Sequence, residues 1–324
     1  MVSGNAENMM RILKKPSSAA ASGSFNGVRW PGRDDLFLAV DKQSRYWVLI
    51  GPSSSQIEAA DAFVGAAVSV GARRGLRIRT DQTEQHGSFI AVCLMQDSVG
   101  LLSEFCYLVE VLAEIAPPGC TLKEVLAIVV RFSILFVEGQ GASVESAVGL
   151  WGELWAIHNS YDPQRWIAAW HPSTRALLDF ETGECAVEVK TTLHESAVHH
   201  LRQRQVETRL HDGWLLSLRI YSSSSGLSIG DLMDATVGRV DASSRSHLMD
   251  KSLRVMSGDL QALREWKFDL QDGGCRALLM TDVPRILGQQ SPALRAVAFE
   301  VDLDEVLSKR GRTFTSVDEK LLER

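Results

Sequence analysis

The chain has 324 residues, of which 45% are hydrophobic and 23% are charged, and 34 Lys and Arg against 40 Asp and Glu give a formal net charge of −6. This composition is typical of a globular protein with one large or two ordinary domains, and it excludes a disordered or collagen-like chain. The acidic balance argues against a protein whose main role is to coat nucleic acid.

Residues 1–24 are rich in Ser and Ala and lack the apolar core of a signal peptide, so we predict a disordered leader there. The most apolar run, residues 125–137, contains Arg131 and is shorter than the ~20 residues that a membrane-spanning helix needs. Five cysteines without a C-x-x-C pair are typical of a reducing compartment. We therefore expect a cytoplasmic protein that does not associate with membranes.

Residues 25–140 are predicted to form a β-rich module followed by a helical hairpin. Apolar strand-like runs occur at residues 36–40, 46–50, 76–80 and 89–95, separated by turn residues. Two apolar helices are expected over residues 99–116 and 122–137.

Residues 141–324 are predicted to form a second domain that mixes helices and strands. A helix over residues 144–159 begins after Ser143, a plausible N-cap. Further along the chain, strands are expected at residues 214–221, 277–283 and 294–303, and helices at 231–240 and 262–266. Mixed elements with strands late in the chain favour an α/β or α+β fold.

The acidic surplus of the chain is concentrated in one segment. Residues 141–213 contain 6 basic and 10 acidic side chains, and six of the eight histidines of the chain. The remaining residues are nearly neutral, so chemistry is most to be expected in this segment.

A predicted hairpin in this segment brings charged side chains together. A two-residue turn at Thr182-Gly183 would pair Glu181 with Glu184 and place Asp179 opposite Ala186. Side chains alternate along a strand, so Ala186, Glu188 and Lys190 would share a face with Asp179, and Asp179 would lie roughly 7–8 Å from Glu188.

Two carboxylates at this separation can hold Mg²⁺, which prefers oxygen ligands. A neighbouring lysine could orient a metal-bound water and stabilise negative charge developing on a phosphate. The same E-x-K spacing is also compatible with an ordinary hairpin face that has a Glu–Lys pair, so spacing alone does not decide between the two interpretations.

These residues resemble the PD-(D/E)XK nuclease motif, with Asp179 as its Asp and Glu188-Val189-Lys190 as its E-x-K. Leu178 departs from the pattern, because it stands at the position of the motif's Pro. The run G-L-W-G-E-L-W-A-I, residues 149–157, resembles the first core helix of the superfamily, and Glu153 matches its metal-site Glu.

The region after the hairpin extends this resemblance. A helix predicted over about residues 196–210 presents Gln205 where several branches of the superfamily have a Gln. The wider pattern resembles a bacterial subfamily of PD-(D/E)XK motif proteins found among restriction and phage-defence genes, over roughly residues 25–310 and most strongly over 148–206.

The resemblance implies a restriction-endonuclease-like core, a central mixed sheet flanked by helices, over residues 141–324. It implies a nuclease that depends on Mg²⁺, for which Mn²⁺ can substitute, and that hydrolyses DNA as the effector of a bacterial restriction or anti-phage system. The implied metal ligands are Asp179, Glu188, the Val189 carbonyl and Glu153, and Lys190 would act on the attacking water with Gln205 nearby.

Other motifs compete with this interpretation. Gly226-Leu227-Ser228-Ile229-Gly230 matches the G-x-S-x-G elbow of serine esterases, but only His247 follows it, and Ser228 with Asp231 also fits a helix cap. The His194-Glu195 pair lacks the second zincin histidine four residues after the first, because Val198 occupies that position.

Four further residues are candidates for contact with nucleic acid. His199 and His200 follow the hairpin and could flank the site or lie on a helix surface. Arg77 and Arg79 share one face of a strand and could meet a DNA backbone or lie on a solvated edge strand. Trp151 and Trp155 lie at helical spacing, which favours a core role over base stacking.

The sequence therefore predicts a metal-dependent DNA nuclease, and the alternative is a catalytically silent DNA-binding or scaffold subunit with the same fold. The expected partners are DNA and other defence subunits, such as an ATPase or helicase, a methyltransferase or a GHKL-type protein, and a homodimer is a further option. No ATPase signature is found, so any translocation must come from a partner.

Overall fold

A computed structural model describes residues 5–17, 23–51, 60–64, 67–95, 100–136, 142–171, 176–182, 185–207, 212–286, 297–310 and 312–313 of the protein. The chain divides into two compact units, Met1–Gly139 and Gln140–Arg324, here called the N-terminal and C-terminal units. Among the described residues, no helix has both the length and the apolar character needed to cross a bilayer.

The N-terminal unit is a β-barrel followed by helices. Its elements in chain order are α1 (Asn5–Ile12), β1 (Ser24–Arg29), β2 (Leu36–Val40), β3 (Tyr46–Ile50), β4 (Ala60–Val64), β5 (Val68–Arg79), β6 (Glu84–Leu94), α2 (Leu102–Ile115) and α3 (Leu122–Arg131). A 3-10 turn, Ser133–Phe136, follows α3. The strands include the four predicted runs, which contain β-branched and aromatic residues that favour strands.

The sheet of the N-terminal unit closes on itself through β1. This strand pairs antiparallel with β2 and parallel with β5, so the order β1-β2-β3-β6-β5 returns to β1, and β4 pairs with β5 beside it. Phe25 of β1 lies inside against Trp47, with ring centroids 5.5 Å apart. Apolar side chains from every closing strand therefore fill one interior.

Helix α1 contradicts the prediction of a disordered leader over residues 1–24. Ala6, Met9 and Met10 recur at helical spacing and are all buried, and Met10 Sδ lies 3.6 Å from Cys106 Sγ on α2. These three apolar side chains on one face of the helix are therefore buried against the rest of the unit. Composition alone does not reveal this burial.

The C-terminal unit is an α+β structure. Its elements are α4 (Val144–Asn159), α5 (Pro163–Ala169), β7 (Phe180–Glu181), β8 (Cys185–Thr192), β9 (Val198–Arg202), α6 (Gln203–Val206), β10 (Asp212–Ser228), α7 (Ile229–Val237), α8 (Ala242–Val255), α9 (Ala262–Glu265), β11 (Lys267–Leu279), β12 (Ala298–Asp302), α10 (Leu303–Arg310) and β13 (Arg312–Thr313). Another 3-10 turn, Met280–Asp282, follows β11.

The strands of this unit form a mixed sheet in the order β13-β11-β10-β8-β7, and β9 pairs with β12 in a separate two-stranded sheet. Strands β8 and β10 are parallel, whereas the other pairs are antiparallel. A mixed sheet with helices confirms the predicted α/β (α+β) class.

Helix α4 packs closely against β8. Its N-cap is Ser143, whose hydroxyl accepts a hydrogen bond from the Ser146 amide at 3.1 Å, as predicted. Gly152 allows the close approach, because an added Cβ would overlap the Thr191 hydroxyl of β8. Trp151 and Trp155 are buried, which confirms their core role.

The helix predicted over residues 196–210 is wrong in its first half, where the structure has β9. Burial alternates along this strand, with His199 and Leu201 inside and Val198, His200 and Arg202 outside. Pairing with β12 satisfies the strand's backbone, and that partner lies almost 100 residues further along the chain. Within residues 196–207, the described part of this range, the predicted helix is reduced to the short helix α6.

Candidate active site

The hairpin that contains the motif is paired two residues away from the predicted register. Phe180 pairs with Val187 and Glu181 with Ala186, whereas the predicted partner Glu184 lies outside the described residues. Thr182 closes the turn by donating its amide to the Cys185 carbonyl at 2.8 Å. A shift of two residues keeps the same side chains on the same face, so Asp179 still faces Glu188 and is now its direct neighbour.

Asp179 is held by backbone on both sides. Its Oδ2 accepts a hydrogen bond from the Val189 amide at 2.8 Å, and its own carbonyl accepts one from the His171 amide at 2.7 Å. Its Oδ1 lies 3.4 Å from His171 Nε2. The carboxylate therefore has a fixed position between β8 and the segment that ends at His171.

Glu188 is almost fully buried, with 2% of its surface exposed. Its Oε1 accepts hydrogen bonds from Lys190 Nζ at 2.7 Å and from Gln205 Nε2 at 2.6 Å. Gln205 is itself fixed, because its Oε1 accepts from the Arg202 amide at 2.9 Å. Glu188 Oε2 is buried and has no hydrogen-bond partner.

Glu153 reaches the same region from α4. Its Oε2 accepts a hydrogen bond from Trp170 Nε1 and lies 3.6 Å from His171 Nε2. Ligand atoms of Glu153, His171 and Asp179 all lie within 4.8 Å of one another, which is a possible metal-binding group.

Lys251 of α8 supplies a second ammonium group. Its Nζ lies 3.9 Å from Glu153 Oε2 and 3.7 Å from the centroid of the Trp170 ring, a cation–π contact. This nitrogen is buried and has no hydrogen-bond partner.

The surroundings disfavour the charges of this site. Burial, together with repulsion from Glu153 and Glu188, raises the pKa of Asp179 well above its usual range. Burial also raises the pKa of Glu188, although Lys190 opposes the shift. Burial lowers the pKa of Lys251 to about 7, against the attraction of Glu153 and Asp179. Crowded buried carboxylates of this kind are typical of a functional site.

The donor set fits a divalent cation. Glu153, His171 and Asp179 form one group of possible ligands, and Glu188, whose charge interacts with Asp179, adds a buried oxygen, Oε2, that has no hydrogen-bond partner. A bound cation would satisfy that oxygen and relieve the mutual repulsion of the carboxylates.

The two histidines proposed beside the site differ from each other. His199 is buried and its Nε2 is 2.8 Å from Ser217 Oγ, so it is not available to touch a phosphate. Burial lowers the pKa of His199 to about 4, and the charge of Lys190 adds to the shift. His200 is exposed on the opposite face of β9.

Arg77 and Arg79 lie on β5 of the N-terminal unit, on its exposed face as predicted. Arg79 forms an ion pair with Glu84 at 3.3 Å. Strand β5 has partners on both sides, β6 and β1, so these arginines do not lie on an edge strand.

The esterase motif is a helix cap. Ser228 is buried, its hydroxyl donates to Asp231 Oδ2 at 2.7 Å, and it accepts from the Asp231 amide at 3.1 Å. A hydroxyl committed to a capping box is not an exposed nucleophile.

Sequence patterns did not indicate His171, Trp170 or Lys251. His171 is eight residues before Asp179 and joins it through a backbone bridge at Trp170 and Phe180, which no spacing rule predicts. Lys251 lies on a helix far along the chain, and only the packing of α8 brings it to Glu153.

The chain was also compared with known proteins. Residues 10–304 match a family described as "Putative PD-(D/E)XK family member, (DUF4420)". Neither a curated protein nor a solved structure matches the chain significantly.

Proposed function

The chain belongs to the DUF4420 family of the PD-(D/E)XK superfamily, and we propose from this premise that it is a metal-dependent nuclease that hydrolyses DNA phosphodiester bonds. The observation that carries the proposal is the meeting of Asp179, Glu188 and Lys190, with Glu188 Oε2 buried and unpartnered. Most buried polar atoms in folded proteins have a hydrogen-bond partner, so an unpartnered carboxylate oxygen beside a second carboxylate supports a site for a cation.

Asp179, Glu188 and the Val189 carbonyl would hold Mg²⁺ or Mn²⁺, with Glu153 as a further ligand. The ion would supply Lewis-acid activation to the hydrolysis. Lys190 Nζ, 2.7 Å from Glu188 Oε1, is placed to hold a water beside that carboxylate and to stabilise negative charge on the phosphate. Gln205 keeps Glu188 in position by donating to the same oxygen.

The test is cleavage of duplex and single-stranded DNA in the presence of Mg²⁺ or Mn²⁺. We expect Glu188→Ala and Lys190→Ala each to lower the cleavage rate by about 10²–10⁴-fold, the usual contribution of a positioned catalytic group. Glu195→Ala and Lys267→Ala, which alter exposed residues of the same unit, are the matched controls. Cleavage that stays unchanged in both site variants would contradict the proposal.

Calorimetric titration with Mn²⁺ separates this enzyme from a catalytically silent DNA-binding or scaffold subunit. We expect a binding signal that Asp179→Ala abolishes, because its carboxylate interacts with both Glu153 and Glu188. A wild-type protein that neither binds Mn²⁺ nor cleaves DNA would favour the scaffold.

We further propose a role in a bacterial restriction or anti-phage system, with DNA-gripping partner subunits or a homodimer. The charge distribution supports a partner, because the chain outside residues 141–213 has a net charge of only −2 and offers little attraction to DNA. The described cysteines are free and buried, which supports a cytoplasmic location.

A further inference from the structure

Lys251 is a positive charge in a position where a metal ion could otherwise bind. Its nitrogen is buried, 3.9 Å from Glu153 Oε2, and lies over the face of Trp170. Trp170 also donates its indole N–H to the same Glu153 oxygen. The carboxylate of Glu153 is thus compensated by groups of the protein itself.

Asp179 interacts with two sets of acidic groups that could each receive a cation. The first is Glu188 with its unpartnered Oε2, and the second is Glu153 with His171, whose ligand atoms lie within 4.8 Å of that of Asp179. The second group already has the ammonium of Lys251 against it, whereas Lys190 and Gln205 both bind Glu188 through Oε1 and leave Oε2 without a partner.

The charge count of the site favours one divalent ion over two. Three carboxylates, Glu153, Asp179 and Glu188, and two lysines, Lys190 and Lys251, give −1 when all are ionised. One divalent ion brings the total to +1, whereas two bring it to +3 in a largely buried site. Uncompensated charge in such surroundings is strongly disfavoured.

We propose that Lys251 takes the place of a second divalent ion at Glu153, so that the site binds one ion, at Asp179 and Glu188. This inference rests on the proposed metal site. It takes Glu153, named above as a further ligand, out of the metal site and pairs it with the ammonium of Lys251, which makes Lys251 a positioning residue that sets the metal stoichiometry.

The test is the number of Mn²⁺ ions bound by the full chain, measured by calorimetry and by the electron paramagnetic resonance signal of free Mn²⁺. We expect one ion in the wild type and in Lys251→Arg, which keeps the charge. In Lys251→Met, which keeps an apolar chain against Trp170, we expect the first ion to bind at least about tenfold more tightly because a like charge is gone, and a second, weaker ion to bind at Glu153, where the ammonium no longer lies.

Two further variants complete the design. Glu153→Gln in the Lys251→Met background should return the count to one, because it removes the carboxylate that the second ion would use. Lys123→Met, which removes an exposed lysine of the N-terminal unit, should bind one ion with unchanged affinity. Thermal melting of each variant verifies that it is folded.

The outcomes separate the two proposals. A wild type that binds no Mn²⁺ overturns the metal site and this inference together. A wild type that binds two ions overturns only the inference, whatever the variants do. One ion in both the wild type and a folded Lys251→Met, with equal affinity, likewise overturns only the role of Lys251.

Discussion

Asp179 keeps a carboxylate where burial and two other carboxylates disfavour its charge. Its pKa is raised in the folded protein, so the folded state binds this proton more strongly than the unfolded state. Stability is therefore lost as pH rises from the unfolded pKa through the folded pKa, so Asp179 opposes folding at neutral pH.

Asp179→Asn should accordingly stabilise the metal-free protein while it removes metal binding. The asparagine oxygen can still accept from the Val189 amide, so we expect a rise in Tm of about 2–4 °C at pH 7 in EDTA, corresponding to about 1 kcal/mol. Differential scanning fluorimetry measures it, with exposed Asp34→Asn as the control. A Tm that stays equal or falls would show that the site is not strained by charge.

His199 should make the protein sensitive to acid. Its folded pKa of about 4 lies below the unfolded value of 6.5, so the unfolded state binds more protons between these pH values. The contribution of His199 to the free energy of unfolding, about 3 kcal/mol, is present above pH 6.5 and is lost as pH falls towards 4.

The measurement is urea unfolding at pH 7, 5.5 and 4.5. His199→Gln, which can still hydrogen-bond Ser217, should make the free energy of unfolding depend less on pH. His200→Gln, which changes the exposed neighbour, should leave this pH dependence as in the wild type. If the unfolding free energy of both variants changed with pH as in the wild type, the acid sensitivity would have to come from other groups.

At the level of single residues, local rules predicted which side chains the structure brings together. Asp179, Glu188 and Lys190 were found from strand alternation, and Gln205 from the resemblance. His171 and Lys251 could not be found, because their positions depend on a backbone bridge and on the packing of a distant helix. His199 was misjudged, since burial on β9 is set by its partner strand β12.

Among the elements, the contact between α4 and β8 holds Glu153 in place relative to Glu188. Gly152 lies at this contact, and an added methyl group would overlap Thr191. We expect Gly152→Ala to push the helix away from the strand, to cost about 2–3 kcal/mol in unfolding free energy, and to weaken Mn²⁺ binding.

Gly149→Ala is the matched control on the same helix. An added Cβ there meets nothing within 4 Å, so the substitution should stabilise the helix by about 0.5–1 kcal/mol. Chemical denaturation and Mn²⁺ titration of both variants measure the effects. Similar behaviour of the two would mean that the approach of α4 to β8 is not as close as described.

Helices and strands were predicted well where their own residues determine them. They were predicted poorly where pairing with another strand determines them. The apolar strand runs of the barrel and the capped helix α4 were recognised from local pattern. The hairpin register was missed by two residues, because the turn is closed by Thr182 and Cys185, and the error was harmless because side chains alternate with a period of two.

At the scale of the whole molecule, most of the net charge of −6 comes from one segment. Of this charge, −4 belongs to residues 141–213, the segment that contributes Glu153, Asp179 and Glu188. A bound divalent ion would offset part of that surplus, so the acidic composition is compatible with work on DNA. The net charge of the whole chain argued against work on DNA because it does not distinguish this acidic segment from the nearly neutral rest of the chain.

The closure of the barrel by β1 has a consequence for shortened versions of the chain. A version that starts near residue 24 would keep this strand, whereas one that starts at residue 30 would lose it and free the sides of β2 and β5 with which it pairs. Unpaired strand edges recruit strands from other molecules. Strand β1 therefore protects these sides of β2 and β5 against aggregation, and a version that starts near residue 24 keeps this protection.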